Sequence, residues 1–396
     1  QDRATGDQRM FTVAALLHYE GQRGDDPETP SMLSIPSLVW RGLPVTVGHV
    51  VDCGSGSTRV VRVWRSRLGG RYGITKLAGR GPPLHKAVQD ATEMEELIEL
   101  VCRHTATAGS HPILMGATAG VRAALDRGEI SQADLDRFDG QARAALPGPR
   151  FEGLAVVSPE EEARAEYVGA VCAFRQRARR GDPLDIRGMV SCGGMSFQVA
   201  HAPLAPDAAD GGGAGSVDHP ESGHPAVGQV FSCSNHILAP KGLISDADDG
   251  GAITFGQLRS RLKAFTKKLE REIKVAQIPI ARKGVFLGIE WFGFFVGYPS
   301  DGPIARGKHV LGLGFGVHHP YQKILDACGR LEATIGVARA EDSVVAPSAV
   351  VTAAVLSRFT TTLLKTCFVP ENSFHVLETG VADWTLGCFL LRAARQ

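Results

Sequence analysis

The chain has 396 residues, more than one hydrophobic core accommodates (about 250 to 300), which predicts two domains or one large bilobed unit. Lys plus Arg number 43 against 42 Asp plus Glu, a formal net charge of +1, which excludes the global basic field of a nucleic-acid or anionic-lipid binder. Apolar residues at 43% and charged residues at 21% suit a globular protein, and no apolar run of about 18 residues is present to span a bilayer.

Residues 1–44, with Pro30, Pro36, Pro44 and the polar run Gly21 to Glu28, read as an N-terminal strap or extension. From Val45 the pattern alternates. Val45 to Asp52 and Thr58 to Trp64 are β-branched runs, Ala87 to Cys102 has helical apolar spacing, Ile113 to Ala117 is a short apolar run, and Ala133 to Ala145 is helical. Ser158-Pro159-Glu160-Glu161-Glu162 opens a further helix: Ser158 is an N-cap, Pro159 fits the first turn, and the acids complement the positive dipole end.

A second cycle follows. Gly188 to Val190 and Ser196 to Ala200 resemble a hairpin, and residues 205–228, rich in Gly and Ala, read as a surface loop. Leu258, Leu262, Phe265, Leu269 and Ile273 step along one helix face, with Lys263, Lys267, Lys268 and Arg271 on a solvated face. Gly284 to Pro299 reads as a buried strand or helix interrupted by Glu290, and Trp384 lies in an apolar C-terminal run. The two cycles look alike, so the expected organisation is a first lobe at 45–187, a second at 188–380, and a segment 381–396 packing back on the core.

The chemistry concentrates in small-residue turns. Asp52-Cys53-Gly54-Ser55-Gly56-Ser57-Thr58 joins two β-branched runs, and its backbone N–H groups and the Ser55, Ser57 and Thr58 hydroxyls can converge on phosphate oxygens. Asp52 ends the first run, where a carboxylate can hold Mg²⁺ or Ca²⁺ through water. Ser191-Cys192-Gly193-Gly194-Met195-Ser196-Phe197-Gln198 is a second turn of this kind and aligns with the first as an internal duplication. Two such loops, one from each half, would clamp a polyphosphate in an interdomain cleft. Side-chain alternation turns Cys53 and Cys192 away from that cleft, as buried structural cysteines. Between the loops, Gly116-Ala117-Thr118-Ala119-Gly120-Val121-Arg122 lets a ligand approach the backbone and ends in a guanidinium with a phosphate-binding or structural role.

These pieces, in this order, resemble the signatures of the apyrase family, the nucleoside triphosphate diphosphohydrolases and nucleoside diphosphatases. Asp52 to Thr58 is similar to the first signature, Gly116 to Arg122 to the second, Glu162 to the glutamate of the third, Gly193 to Gln198 to the fourth, and Trp384 to Gly387 to the fifth. The resemblance implies an α/β, duplicated actin-like (RNase H-like) fold with two lobes around a nucleotide cleft. It further implies attack of water on a terminal phosphate of a nucleoside di- or triphosphate. Glu162 would be the general base, with Thr118 and Gln198 near the attacking water. Gly54, Ser55, Gly56, Ser57, Thr58, Gly193, Gly194, Met195 and Ser196 would hold phosphate, and Asp52 the hydrated Mg²⁺ or Ca²⁺.

Ser191 stands where the fourth signature has aspartate, which implies weakened metal binding there. The run Glu160 to Arg164 also resembles exopolyphosphatase and guanosine pentaphosphatase relatives. A polyphosphate hydrolase and a catalytically weak nucleotide-binding or assembly protein of the same fold are therefore the alternatives. No nucleic-acid partner is expected. The resemblance points to the secretory pathway, although neither Asn235 nor Asn372 stands in a glycosylation sequon.

Overall fold

The computed structural model describes residues 45–66, 72–77, 79–106, 111–146, 151–178, 186–192, 196–202, 228–234, 254–298, 310–335, 348–378 and 383–393. The strap 1–44, the turn 193–195 and most of the loop 205–228 lie outside the described residues.

The β-branched runs form β1 (Val45–Cys53) and β2 (Thr58–Ser66), an antiparallel hairpin around the Gly/Ser turn. With β3 (Tyr72–Lys76), β4 (Ile113–Ala117) and β5 (Phe151–Val156) they make a five-stranded sheet of order β3-β2-β1-β4-β5, parallel between β1, β4 and β5. β6 (Ile186–Cys192), β7 (Ser196–His201), β8 (Val230–Ser234), β9 (Val285–Ile289), β10 (His318–Pro320) and β11 (Ser373–Val376) make a second sheet of order β10-β11-β9-β6-β7-β8. β8-β7-β6-β9-β11 repeats the topology of the first sheet, hairpin included. The duplication seen in the two turns is thus a duplication of the whole sheet.

Helices cover the outer faces. α1 (Leu84–Ala87), α2 (Ala91–Thr105), α3 (Ala119–Asp126) and α4 (Gln132–Ala145) pack a core of Val51, Cys53, Leu97, Met115 and Phe138 on the first sheet. The helical spacing over Ala87 to Cys102 is broken into two helices, because Asp90 accepts hydrogen bonds from the Thr92 and Glu93 N–H groups and starts a new one.

α5 (Pro159–Arg177) follows β5 and begins with a reciprocal capping box between Ser158 and Glu161. In the second lobe, α6 (Phe255–Val275) buries the expected Leu258 to Ile273 stripe. α7 (Glu290–Gly297), α8 (Tyr321–Thr334) and α9 (Ser348–Cys367) join it in a core with Cys192, Phe197 and Phe286. Cys53 and Cys192 are buried, each in its own lobe's core.

Between the sheets lie α5 and α10 (Trp384–Ala393). One side of α5 (Tyr167, Ala170, Phe174) packs on Met189, Ala200 and Leu287 of the second sheet. Its other side (Ala165, Val168, Cys172) packs with Trp384 and Phe389 of α10 against Val50 and Val61 of the first. The first turns of α5 therefore turn their buried side chains, Glu162 and Glu166 among them, inward, while Glu160, Glu161 and Arg164 stay exposed. Among the described residues no helix is long and apolar enough to cross a membrane.

Candidate active site between the two hairpins

Asp52 lies at the end of β1, 4% exposed. Its cross-strand partner Arg59 donates from Nη2 to Oδ2 at 2.6 Å, and Trp384 Nε1–H donates to Oδ1 at 3.0 Å. The tryptophan is thus both core and site: it fills space beside Val50 and fixes the Asp52 carboxylate. Gly116 makes this possible, since a Cβ there would stand 2.3 Å from the indole. Gly120, at the start of α3, likewise admits the Gly/Ser turn after β1, where a Cβ would meet Ser55 Cα at 2.5 Å. The two glycines of the Gly116 to Arg122 segment therefore have steric roles on opposite sides of one strand-to-helix turn.

In the first loop, Gly54 N–H donates to Ser57 O at 3.1 Å and closes the turn, leaving Gly56 exposed with Ser55 and Ser57 half-buried beside it. Thr58 departs from the expectation of a phosphate donor. Its N–H donates to Gly81 O and its hydroxyl to Pro82 O at 2.8 Å, so both donors brace the loop from below. Gly193, Gly194 and Met195 lie outside the described residues, and Cys192 and Ser196 bracket them. Ser191 pairs across the hairpin with Gln198, which donates from Nε2 to Ser196 Oγ at 2.9 Å. Thr118 is buried as the residue preceding α3.

Glu162 sits in the first turn of α5 and is 6% exposed, pointing inward. Arg122 Nη2 donates to its Oε2 at 2.8 Å while Nη1 donates to Val157 O, so the guanidinium clamps the carboxylate. Of the two roles open to Arg122, the geometry supports the structural one. Burial pushes the Glu162 carboxyl above its usual range, Arg122 opposes that rise, and the charges of Asp52 and Glu290 add to it. The Asp52 and Glu162 carboxylates, 110 positions apart in sequence by their numbers, are therefore close enough to feel each other.

Three acids that the motifs did not single out complete the group. Glu166 stands one helical turn beyond Glu162, 4% exposed, facing Ser191; burial drives its carboxyl well up, and Glu162 and Glu290 raise it further. Glu290 begins α7 at φ +53°, a left-handed conformation rare for a residue with a side chain, and bridges to Cys192. Asp383 caps α10 by accepting from Thr385 N–H at 3.0 Å and lies 3.9 Å from Lys76 Nζ. The sequence signals for them were modest: an acid four residues from Glu162, a lone acid in an apolar run, and an acid before Trp384. Only the assembled cleft brings them together.

No family model and no curated protein matches the chain. Solved structures do. A PPX-GPPA enzyme from Aquifex aeolicus is similar over 88% of this chain and 100% of its own, with 14% identity and a TM-score of 0.54. Another structure of the Aquifex aeolicus Ppx/GppA family member covers 89% and 99%, with 15% identity and a TM-score of 0.54. An exopolyphosphatase-like protein covers 88% and 99%, with 14% identity and a TM-score of 0.51. With the repeated sheet, this likeness shows the duplicated two-lobed actin-like fold.

Proposed function

We propose that this chain is a phosphoanhydride hydrolase that removes a terminal phosphate from a nucleoside di- or triphosphate, using water activated by Glu162. The observation that carries the reading is the Arg122-clamped Glu162, buried between two duplicated hairpins and aimed at the group around Asp52. A carboxylate fixed in this way accepts a proton from water as the water attacks phosphorus, and the proton then resides on Glu162. Ser55, Ser57 and Ser196 carry hydroxyls on the two hairpins, and the loop N–H groups of Ser55 to Ser57, together with those of Gly193 to Met195, are suited to phosphate oxygens. Thr118 and Gln198, both buried, are assigned to orient the water.

The donor set fits a hydrated divalent cation. Among the described residues, Asp52, Glu162, Glu166, Glu290 and Asp383 share the cleft with Arg59, Arg122 and Lys76, an excess of two carboxyl groups over basic partners. No group of three or more His, Cys, Asp or Glu residues is arranged to hold a metal directly, among the described residues. Oxygen donors that act through water suit Mg²⁺, or Ca²⁺, which would neutralise charge on the phosphate oxygens when bound. Asp52 would hold its water shell.

An inorganic polyphosphate chain is the second reading, favoured by the Glu160 to Arg164 run and by the exopolyphosphatase-like protein among the similar structures. Phosphate release from ATP, ADP, UDP and polyphosphate with Mg²⁺ or Ca²⁺ separates the two. Glu162→Gln is expected to lower the rate by about 10²- to 10⁴-fold. Equal, slow release by wild type and variant while both bind nucleotide would instead make the protein a binding module.

A further inference from the structure

The duplication places Ser191 on β6 where Asp52 stands on β1: each is the residue before the buried cysteine that ends its strand. The first lobe thus offers the cleft a carboxylate and the second, at the equivalent place, a hydroxyl. Ser191 Oγ is fully buried and makes no hydrogen bond of good geometry. The Oε1 atom of its cross-strand partner Gln198 is in the same condition.

The side chain facing Ser191 is Glu166, reaching in from α5. Its residue is 4% exposed and its Oε2 has no hydrogen-bond partner, whereas the carboxylates of Asp52, Glu162 and Asp383 are engaged by Arg59 and Trp384, by Arg122, and by Thr385. The Ser191 hydroxyl is the nearest donor to this carboxyl but forms no hydrogen bond of good geometry with Oε2, and a buried carboxylate oxygen left so poorly served is costly and uncommon. Helix packing does not require it, because Ala165, Tyr167 and Val168 around it fill both flanking cores with apolar atoms. A divalent cation with its water shell would stabilise the ionised form of Glu166, which burial and the neighbouring acids disfavour.

We propose that Glu166 supplies the second lobe's acid: delivered from α5 one turn beyond Glu162, it takes the place of a carboxylate at Ser191 and, with Asp52, holds the water shell of the divalent cation. The serine is then a consequence of the glutamate. Two carboxylates side by side would repel, and a short hydroxyl leaves the room that the longer side chain uses.

The inference rests on the metal-dependent reading above, and binding of Mn²⁺ alone to the full chain, followed by electron paramagnetic resonance of the free ion, tests the two separately. Wild type is expected to bind Mn²⁺, and Glu166→Gln to bind it about 10- to 100-fold more weakly. The exchange Glu166→Ala with Ser191→Asp is expected to recover affinity to within about threefold of wild type, because it returns the acid to the strand position. Unchanged binding by Glu166→Gln overturns this proposal and leaves metal dependence standing, whereas a wild type that binds no Mn²⁺ removes both. An exchange variant that stays weak while its circular dichroism is native also overturns it. Should Glu166→Gln not fold, the exchange variant decides by the same criterion.

Discussion

At the scale of single residues, the site is governed by which buried charges have partners. Glu162 is held by one guanidinium against burial and two neighbouring acids, and the balance leaves its carboxyl above the ordinary range. As the proposed base, Glu162 must be ionised to accept a proton. Activity is therefore expected to fall as pH drops through this raised value, giving an acidic limb in the pH profile of kcat/KM at higher pH than a free glutamate would produce. Arg122→Met removes the attraction that opposes the rise, so the limb is expected to move further up; an unmoved limb would mean that another group sets it. Thr58 shows the same logic from the other side. Its hydroxyl looked like a ligand donor in sequence, but the carbonyl of Pro82 claims it.

At the scale of elements, a hairpin and a terminal helix build the site together. Trp384 belongs to α10, yet its indole N–H reaches Asp52 on β1, a pairing that also depends on the missing side chain at Gly116. Trp384→Phe keeps most of the packing and removes the donor. It is expected to cost about 1.5 to 3 kcal/mol in denaturant unfolding, the usual value for a hydrogen bond to a charged group. Addition of Mg²⁺ is expected to recover part of that loss if the cation shares Asp52. The strands missing from the sequence reading, β3, β5, β8, β10 and β11, are short, and all but β11 are edge strands. Their pairing is decided by neighbouring strands rather than by local pattern.

At the scale of the molecule, α5 and α10 form one layer shared by both sheets, so neither lobe completes its core alone. Phe389 of α10 packs within 2.8 Å of where a Cβ would stand on Gly48 of β1, and it shares a cluster with Ala165 and Val168 of α5. Unfolding is expected to be a single transition, with Trp64 reporting the first lobe and Trp291 the second. Phe389→Ala is expected to lower stability by about 3 to 5 kcal/mol and to shift far-ultraviolet circular dichroism and tryptophan fluorescence together. Separate transitions would show that the shared layer does not couple the lobes. A coupled layer also explains how the Glu162 carboxylate keeps its place relative to both hairpins.

The sequence by itself determined the duplication, the two hairpins, the α6 stripe and the capped start of α5, because each rests on residues close together in the chain: β-branched alternation, helical spacing, and Ser158 with Glu161. It also marked Asp52, Glu162 and the first Gly/Ser turn as a group worth joining. Only the tertiary structure decided that Arg122 serves Glu162, that Trp384 serves Asp52, and that Glu166, Glu290 and Asp383 share their cleft. Those pairings span tens to hundreds of residues, and a lone acid in a helix or an apolar run carries no local sign of what will face it. Partners across a cleft are fixed by packing two sheets on one helical layer, and no periodicity along the chain encodes that distance.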